Sequence, residues 1–407
     1  MRISTSQYFN MDVATMSDQQ TQLSQLYAQV SSGVSLSTPA DNPLGAAQAV
    51  RLSSTATTLS QYTSNQTAAL GSLQQEDSTL GSVNTVLQSI HALVLRAGDG
   101  SLNNGNRGAI ATQLQGLSSQ LMSLANSTDP QGNYLFAGFQ STAQPYSTNS
   151  AGAVTYSGDT GTRAVQVADS RTVQTADNGL SIFGSVAPIG TSAVPAATAG
   201  NTGSGVISSV SLTNPTNPAN ADTYSISFSS ATSYAVNQTD PATGVVTPGT
   251  AQTFTAGSAI TLGGQSVSIA GVPNAGDSFT VTPATQGSMD VFANLNQLIK
   301  TLQTPISGAA STASFQSALT TSMTQLENTM NNVVTARASV GGREQEVQAL
   351  QTVTQSNTLQ TSTNLSALTQ TNMVKTIGQY TMTQAALQAA QQAFSKIQNI
   401  SLFQYLN

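Results

Sequence analysis

The sequence has no cysteine, a single histidine, and a charged fraction of 7% over 407 residues. Without cysteine there is no disulfide, no thiolate nucleophile and no sulfur-ligated zinc or iron. An ordinary soluble domain is about 25% charged; here Ser, Thr, Gln, Asn, Ala and Gly fill the gap, which predicts a polar, nearly uncharged surface. The net charge of -6 argues against nucleic-acid binding, because phosphate neutralisation needs clustered Lys and Arg. No such cluster exists, and none of the 11 basic residues lies between Arg171 and Lys300. Long apolar runs are missing as well. MRISTSQYFN lacks the apolar core of a secretory signal, and no run approaches the ~18 apolar residues that would span a bilayer. Membrane insertion and a cleaved signal are therefore not expected. A cytosolic polar protein and an extracellular structural protein both fit this composition.

What the chain does have is helical periodicity at both ends. Met16, Leu23 and Val30 recur every seven residues near the start, with Leu26 beside them, and Met373, Tyr380, Leu387 and Phe394 do the same near the finish. A seven-residue apolar repeat asks for a partner helix, so the two ends are expected to pair with each other and with neighbouring subunits. Adding the terminal Leu402 and Phe403 gives the candidate assembly interface: Met16, Leu23, Leu26, Val30, Met373, Tyr380, Leu387, Phe394, Leu402 and Phe403. The end aromatics Tyr8, Phe9, Phe403 and Tyr405 read as protein packing, because almost no basic residue accompanies them as in a membrane anchor.

Between the ends, Gly33 can stop the first helix, and Asp41 or Asn42 can cap a second with Pro43 in its first turn. Leu52, Leu59, Leu73, Leu80, Leu87 and Val94 then keep a heptad, broken once by Gln66, which predicts a long coiled-coil-like helix. GDGSLNNGNRG turns the chain into another helix carrying Ile110, Leu114, Leu117, Leu121 and Leu124. NYLFAGFQSTAQPYS opens a β region, with Gly158, Asp159, Thr160 and Gly161 as a hairpin turn. From about Gly179 to Gly287 the helical signal vanishes and short alternating runs such as TYSISFSS predict strands, with GTSAVPAATAGNTGSG the stretch least suited to order. Helix resumes at Met289, breaks at Pro305, and runs from about Ala313 to Ile400 with Gly341 and Gly342 as a bend or interruption.

The expected fold is α+β: a long helical, coiled-coil-like rod formed by both chain ends, with a β-hairpin region and an inserted, mainly-β domain. The expected domains are 1–42 with 365–407 as a terminal assembly domain, 43–178 with 288–364 as a helical rod with β-hairpins, and 179–287 as the insert. Chemistry is sparse. His91 sits inside a helix without a local carboxylate, the pairs Glu76/Asp77 and Glu344/Glu346 read as solvated faces, and the glycine-rich stretches lack a GK[ST] phosphate cradle. No catalytic residue, cofactor or metal site is expected.

Five stretches, in order along nearly the whole chain, carry a resemblance: MRIST; SSGVSLSTPADNPLGAAQAVRL; GNYLFAGFQSTAQPYS with TYSGDTGTRAVQVA; RASVGGREQEVQAL; and SLFQYLN. Together they resemble the hook-associated protein 3 family of the bacterial flagellum, flagellin-like subunits at the junction between hook and filament. One departure is that members commonly carry two acidic residues before the proline where this chain has Asp41 and Asn42; capping survives the change. The resemblance implies a non-enzymatic structural subunit, exported unfolded by the flagellar type III apparatus without a signal peptide and located outside the cell. Its implied partners are other hook-associated protein and flagellin subunits, its own copies in a ring, and an export chaperone at the C-terminal helix. A flagellin filament subunit and a secreted coiled-coil adhesin or fibre are the alternatives.

Overall fold

The computed structural model describes residues 5–36, 38–40, 42–149, 152–287 and 289–403. The helices are α1 (Thr5–Ser32), α2 (Pro43–Ala97), α3 (Asn104–Ala125), a short α4 (Gly179–Phe183), α5 (Val291–Gln303), α6 (Ala309–Thr369) and α7 (Met373–Phe403). The protein is α+β, with long helices toward both ends and a central β-rich region. By compactness the chain divides into two units, 1–64 with 351–407 and 65–350, and the boundaries fall inside α2 and α6.

In the first unit α1 and α7 run antiparallel. Phe9 meets Phe394 at a ring-centroid distance of 5.3 Å and Tyr27 meets Tyr380 at 6.4 Å. A short β-bridge between Val34 and Gln370 closes the pair where α1 has ended and α6 passes into α7, backed by Ser35 N–H to Thr369 O at 2.8 Å and Thr371 N–H to Gly33 O at 3.0 Å. Gly33 takes φ +70°, the left-handed conformation that stops a helix cheaply in glycine. Asn42 caps α2, its Oδ1 accepting Gly45 N–H at 2.9 Å, with Pro43 as the first helical residue. Asp41 lies outside the described residues.

The second unit holds the apolar core. Leu73, Leu80, Leu87 and Val94 of α2 are buried together with Ile110, Leu114 and Leu121 of α3, Phe292, Leu295 and Leu298 of α5, and Val333, Val340 and Val347 of α6. Each such side chain contributes about 1.5–3 kcal/mol by leaving water. Of the bend or interruption expected at Gly341 and Gly342, the interruption does not occur, and α6 runs through both. Two glycines cost about 2 kcal/mol of helix propensity, and the buried Val340 and Val347 beside them supply more than that.

Two hairpins cap this bundle: β1 (Tyr146–Thr148) with β2 (Val154–Tyr156), and β3 (Arg163–Ala168) with β4 (Arg171–Ala176). The expected hairpin turn at 158–161 is not one, since it joins β2 to β3, which do not pair. It is shaped by Asp159, which accepts N–H bonds from Phe139, Gln140 and Gly161. The true β3–β4 turn lies at Ser170, the non-glycine residue with φ 56°.

The β-rich region follows with β5 (Val194–Ala197), β6 (Val206–Ile207), β7 (Ser211–Leu212), β8 (Thr223–Ser230), β9 (Ser233–Thr239), β10 (Val246–Thr247), β11 (Gln252–Thr253), β12 (Ala259–Leu262), β13 (Gln265–Ala270) and β14 (Ser278–Thr282). One sheet runs β10-β9-β8-β14-β5 with β11 also on β9, and a second runs β12-β13-β6 with β7 also on β13. Alternating residues of both sheets, among them Ile226, Phe228, Leu262, Val267, Ile269 and Phe279, share one core, as period-two patterning requires. The segment expected to be least ordered instead forms β5 and a tight loop. Asp277 fixes that loop by accepting N–H bonds from Thr202 at 2.8 Å and Gly203 at 3.0 Å.

Candidate assembly interface

Seven of the ten sequence-derived interface residues fall on one seam. In α1 the half-buried positions include Met16, Gln19, Leu23, Leu26, Gln29 and Val30, and in α7 they are Tyr380, Thr383, Leu387, Ala390 and Phe394, with Thr376 buried. The alternating spacing of three and four is that of a two-helix coiled-coil seam. Met16, Leu23, Leu26, Val30, Tyr380, Leu387 and Phe394 are thus brought to the α1–α7 pair. Met373 is not: it is the first residue of α7, at the level where α1 has ended, and is 42% exposed. The side chains of Leu402, Phe403 and Tyr8, and all of Tyr405, lie outside the described residues.

The seam is thin. Every fully buried apolar side chain among the described residues lies between Ala69 and Val347, and the buried polar residues of the first unit are Thr354, Thr361 and Thr376. Off the seam, α1 and α7 carry large apolar side chains in solvent: Met11 and Val13, then Val374 at 86% exposure, Ile377, and Met382 at 73%. The heptad count missed these three α7 residues because they follow another face of the helix; their signal was the high apolar content of α7 around its whole circumference.

Chemical groups are arranged for structure. His91 Nε2 stands 3.8 Å from Glu327 Oε1 of α6, a carboxylate that local sequence could not supply. Arg337 holds Asp77 through two bonds of 3.0 and 3.1 Å, and Arg171 pairs with Glu346. Glu76 is not on a solvated face as expected. It is buried, with Oε1 accepting Asp177 N–H at 3.0 Å. Among the described residues no cluster of His, Cys, Asp and Glu could hold a metal ion, and no helix is long and apolar enough to cross a membrane.

The model of the bacterial flagellin N-terminal helical region matches residues 3–141. Flagellar hook-associated protein 3 of Salmonella typhimurium is 27% identical over 405 residues, 99% of this chain and 99% of the relative. The crystal structure of Xanthomonas campestris FlgL superposes with a TM-score of 0.67 at 27% identity, over 76% of this chain and 98% of the other. The chain is similar over nearly its whole length to flagellar hook-associated protein 3. The crystal structure of the flagellar junction protein FlgL of Legionella pneumophila superposes with a TM-score of 0.61 at 26% identity, over 72% of this chain and 96% of the other. These likenesses do not favour a filament flagellin or an adhesin. Relatives within the hook-associated protein 3 family are structural flagellar proteins.

Proposed function

We propose that this chain is a structural subunit of the junction between flagellar hook and filament, assembled through its two terminal helices. The observation that carries the reading is the contrast between the units. Residues 69–347 hold all the fully buried apolar side chains among the described residues, while α1 and α7 pair along a half-buried seam and present Met11, Val374, Ile377 and Met382 to solvent. Helices with so little core gain stability when neighbours cover them. At a junction those neighbours are further copies in a ring, another hook-associated protein on one side and flagellin on the other. Residues 1–42 with 365–407 serve as the assembly domain, 43–178 with 288–364 as the helical rod with its hairpins, and 179–287 as the inserted β domain. The role is structural rather than catalytic.

The chain reaches the outside of the cell through the flagellar type III apparatus without a cleaved signal. An export chaperone shields α7 beforehand, taking Met373, Tyr380, Leu387 and Phe394 as anchors in a groove. This fits the mostly uncharged helix, which has Lys375 and Lys396 as its charges. A strain deleted for the chain should lose motility and release filament subunits into the medium, and the full chain should restore both. The double variant Ile377→Asp, Met382→Asp, altered at exposed positions, should be exported yet fail to retain filaments. Full motility with that variant would refute the assembly surface, and unchanged chaperone capture after removal of 365–407 would place that contact elsewhere.

A further inference from the structure

Two acids are deeply buried among the described residues, and they are housed differently. Asp277 is 2% exposed, and its oxygens take N–H bonds from Thr202, Gly203 and Asn274. That is a cradle built for a carboxylate. Glu76, 1% exposed on α2, receives one N–H bond, from Asp177, while its equally buried Oε2 has no hydrogen-bond partner among the described residues. An ionised carboxylate so placed lacks the donors that would replace water. A protonated one carries no charge to solvate.

The charges around Glu76 do not compensate. From the connection between β4 and α4 it faces Asp177, whose Oδ2 is held by Arg343 Nη2 of α6 at 2.5 Å. The next cation on α6, Arg337, is committed to Asp77, the neighbour of Glu76 on α2, and Arg171 of the hairpin is committed to Glu346. The cation that acts on Glu76, Arg343, is thus already occupied by Asp177, an acid that repels Glu76.

We propose that Glu76 is a proton-dependent clasp: protonated, it lets the connection at Asp177 and Asn178 lie against α2; ionised, it drives that connection off and loosens the β3–β4 hairpin from α2 and α6. Burial first, and then the charge of Asp177, push the Glu76 carboxyl from its ordinary 4.5 up to about 8. The folded chain therefore keeps a proton that the unfolded chain releases. The contribution of Glu76 to stability is greatest below 4.5, falls as pH rises from there to about 8, and levels off beyond. The contacts at stake include Gln66 Nε2 to Val167 O and Asn65 Nδ2 to Gln166 O, both 2.7 Å, and Arg343 Nη1 to Gln174 O at 3.3 Å.

The test uses the full chain, comparing wild type with Glu76→Gln by urea unfolding from pH 5 to 9 and by hydrogen exchange of residues 163–184 corrected for intrinsic rates. Between pH 5 and 8 the wild-type unfolding constant should rise by up to about tenfold per pH unit relative to the variant, and only wild type should lose hairpin protection. Equal pH slopes overturn the proposal. Should Glu76→Gln not fold, Asp177→Asn removes the facing charge and should move the wild-type transition to lower pH; an unmoved transition overturns it. Carbon-13 carboxyl NMR gives a direct reading, because the chain has four glutamates. One should titrate near 8, and four ordinary carboxyls near ~4.3 would end the idea.

Discussion

Asn328→Ala should detach the segment that leads from α4 into β5. Asn328 is 1% exposed on α6, and its amide makes a two-way bond to one residue: Oδ1 accepts Ser192 N–H at 2.9 Å and Nδ2 donates to Ser192 O at 2.8 Å. Neighbours along the same helix repeat the device. Thr321 Oγ1 donates to Pro195 O at 2.7 Å, and Asn332 Nδ2 donates to Ser181 O and Ile182 O at 2.8 and 2.9 Å. Each net hydrogen bond is worth about 0.5–1.5 kcal/mol, so losing two costs about 1–3 kcal/mol. Ser192 itself is exposed, so water can take over its freed groups, and the middle of that range, about 2 kcal/mol, is expected. Asn328→Asp should cost more, because it keeps the acceptor but sets a second oxygen against Ser192 O and buries a charge. Urea unfolding measures the loss, and hydrogen exchange should localise it to residues 190–197. A loss below about 0.5 kcal/mol with unchanged exchange there would refute the reasoning, leaving the apolar contacts of Val194, Ala284 and Met289 to hold the segment.

Leu80→Ala empties a fully buried site in the main core and should destabilise the protein by about 2–5 kcal/mol in denaturant titration; a loss near zero would mean that the helices around it collapse freely. Asp159 is held below its ordinary 3.8, first by the Phe139 N–H and then by those of Gly161 and Gln140. A lowered carboxylate stabilises above its ordinary value and loses that effect as pH falls below it. Protection of the Phe139 and Gln140 amides should therefore disappear on acidification below 3.8 and be weak throughout in Asp159→Asn; protection that ignores both changes would deny Asp159 its role.

The apolar half of this fold was legible because it is periodic. Leu73, Leu80, Leu87 and Val94 announced α2, and all are buried; TYSISFSS alternates in sequence and in burial alike as β8. The polar half was not legible, for a physical reason. Gln66 reads as a flaw in the heptad, yet it is fully buried and donates to Val167 O, 101 residues away. Asn328 and Asn332 reach 136 and 151 residues back along the chain. A hydrogen bond needs one partner at one distance and leaves no period. In a chain so rich in amides and hydroxyls, nothing local separates the amide that is buried from the many that are wet.

The same reasoning divides the candidate interface. A seven-residue count selects the residues that two helices turn toward each other, which is why six of the seven it returned, Met16, Leu23, Val30, Tyr380, Leu387 and Phe394, lie on the α1–α7 seam, with Met373 the exception. Surfaces that meet a further subunit need not repeat in phase with that seam, and Val374, Ile377 and Met382 do not. Their exposure becomes visible only when α1 is in place and fails to cover them. Replacing seam residues should therefore weaken the intrachain pair and, through it, assembly. Replacing outer-face residues should spare the pair and remove only what a neighbouring subunit adds.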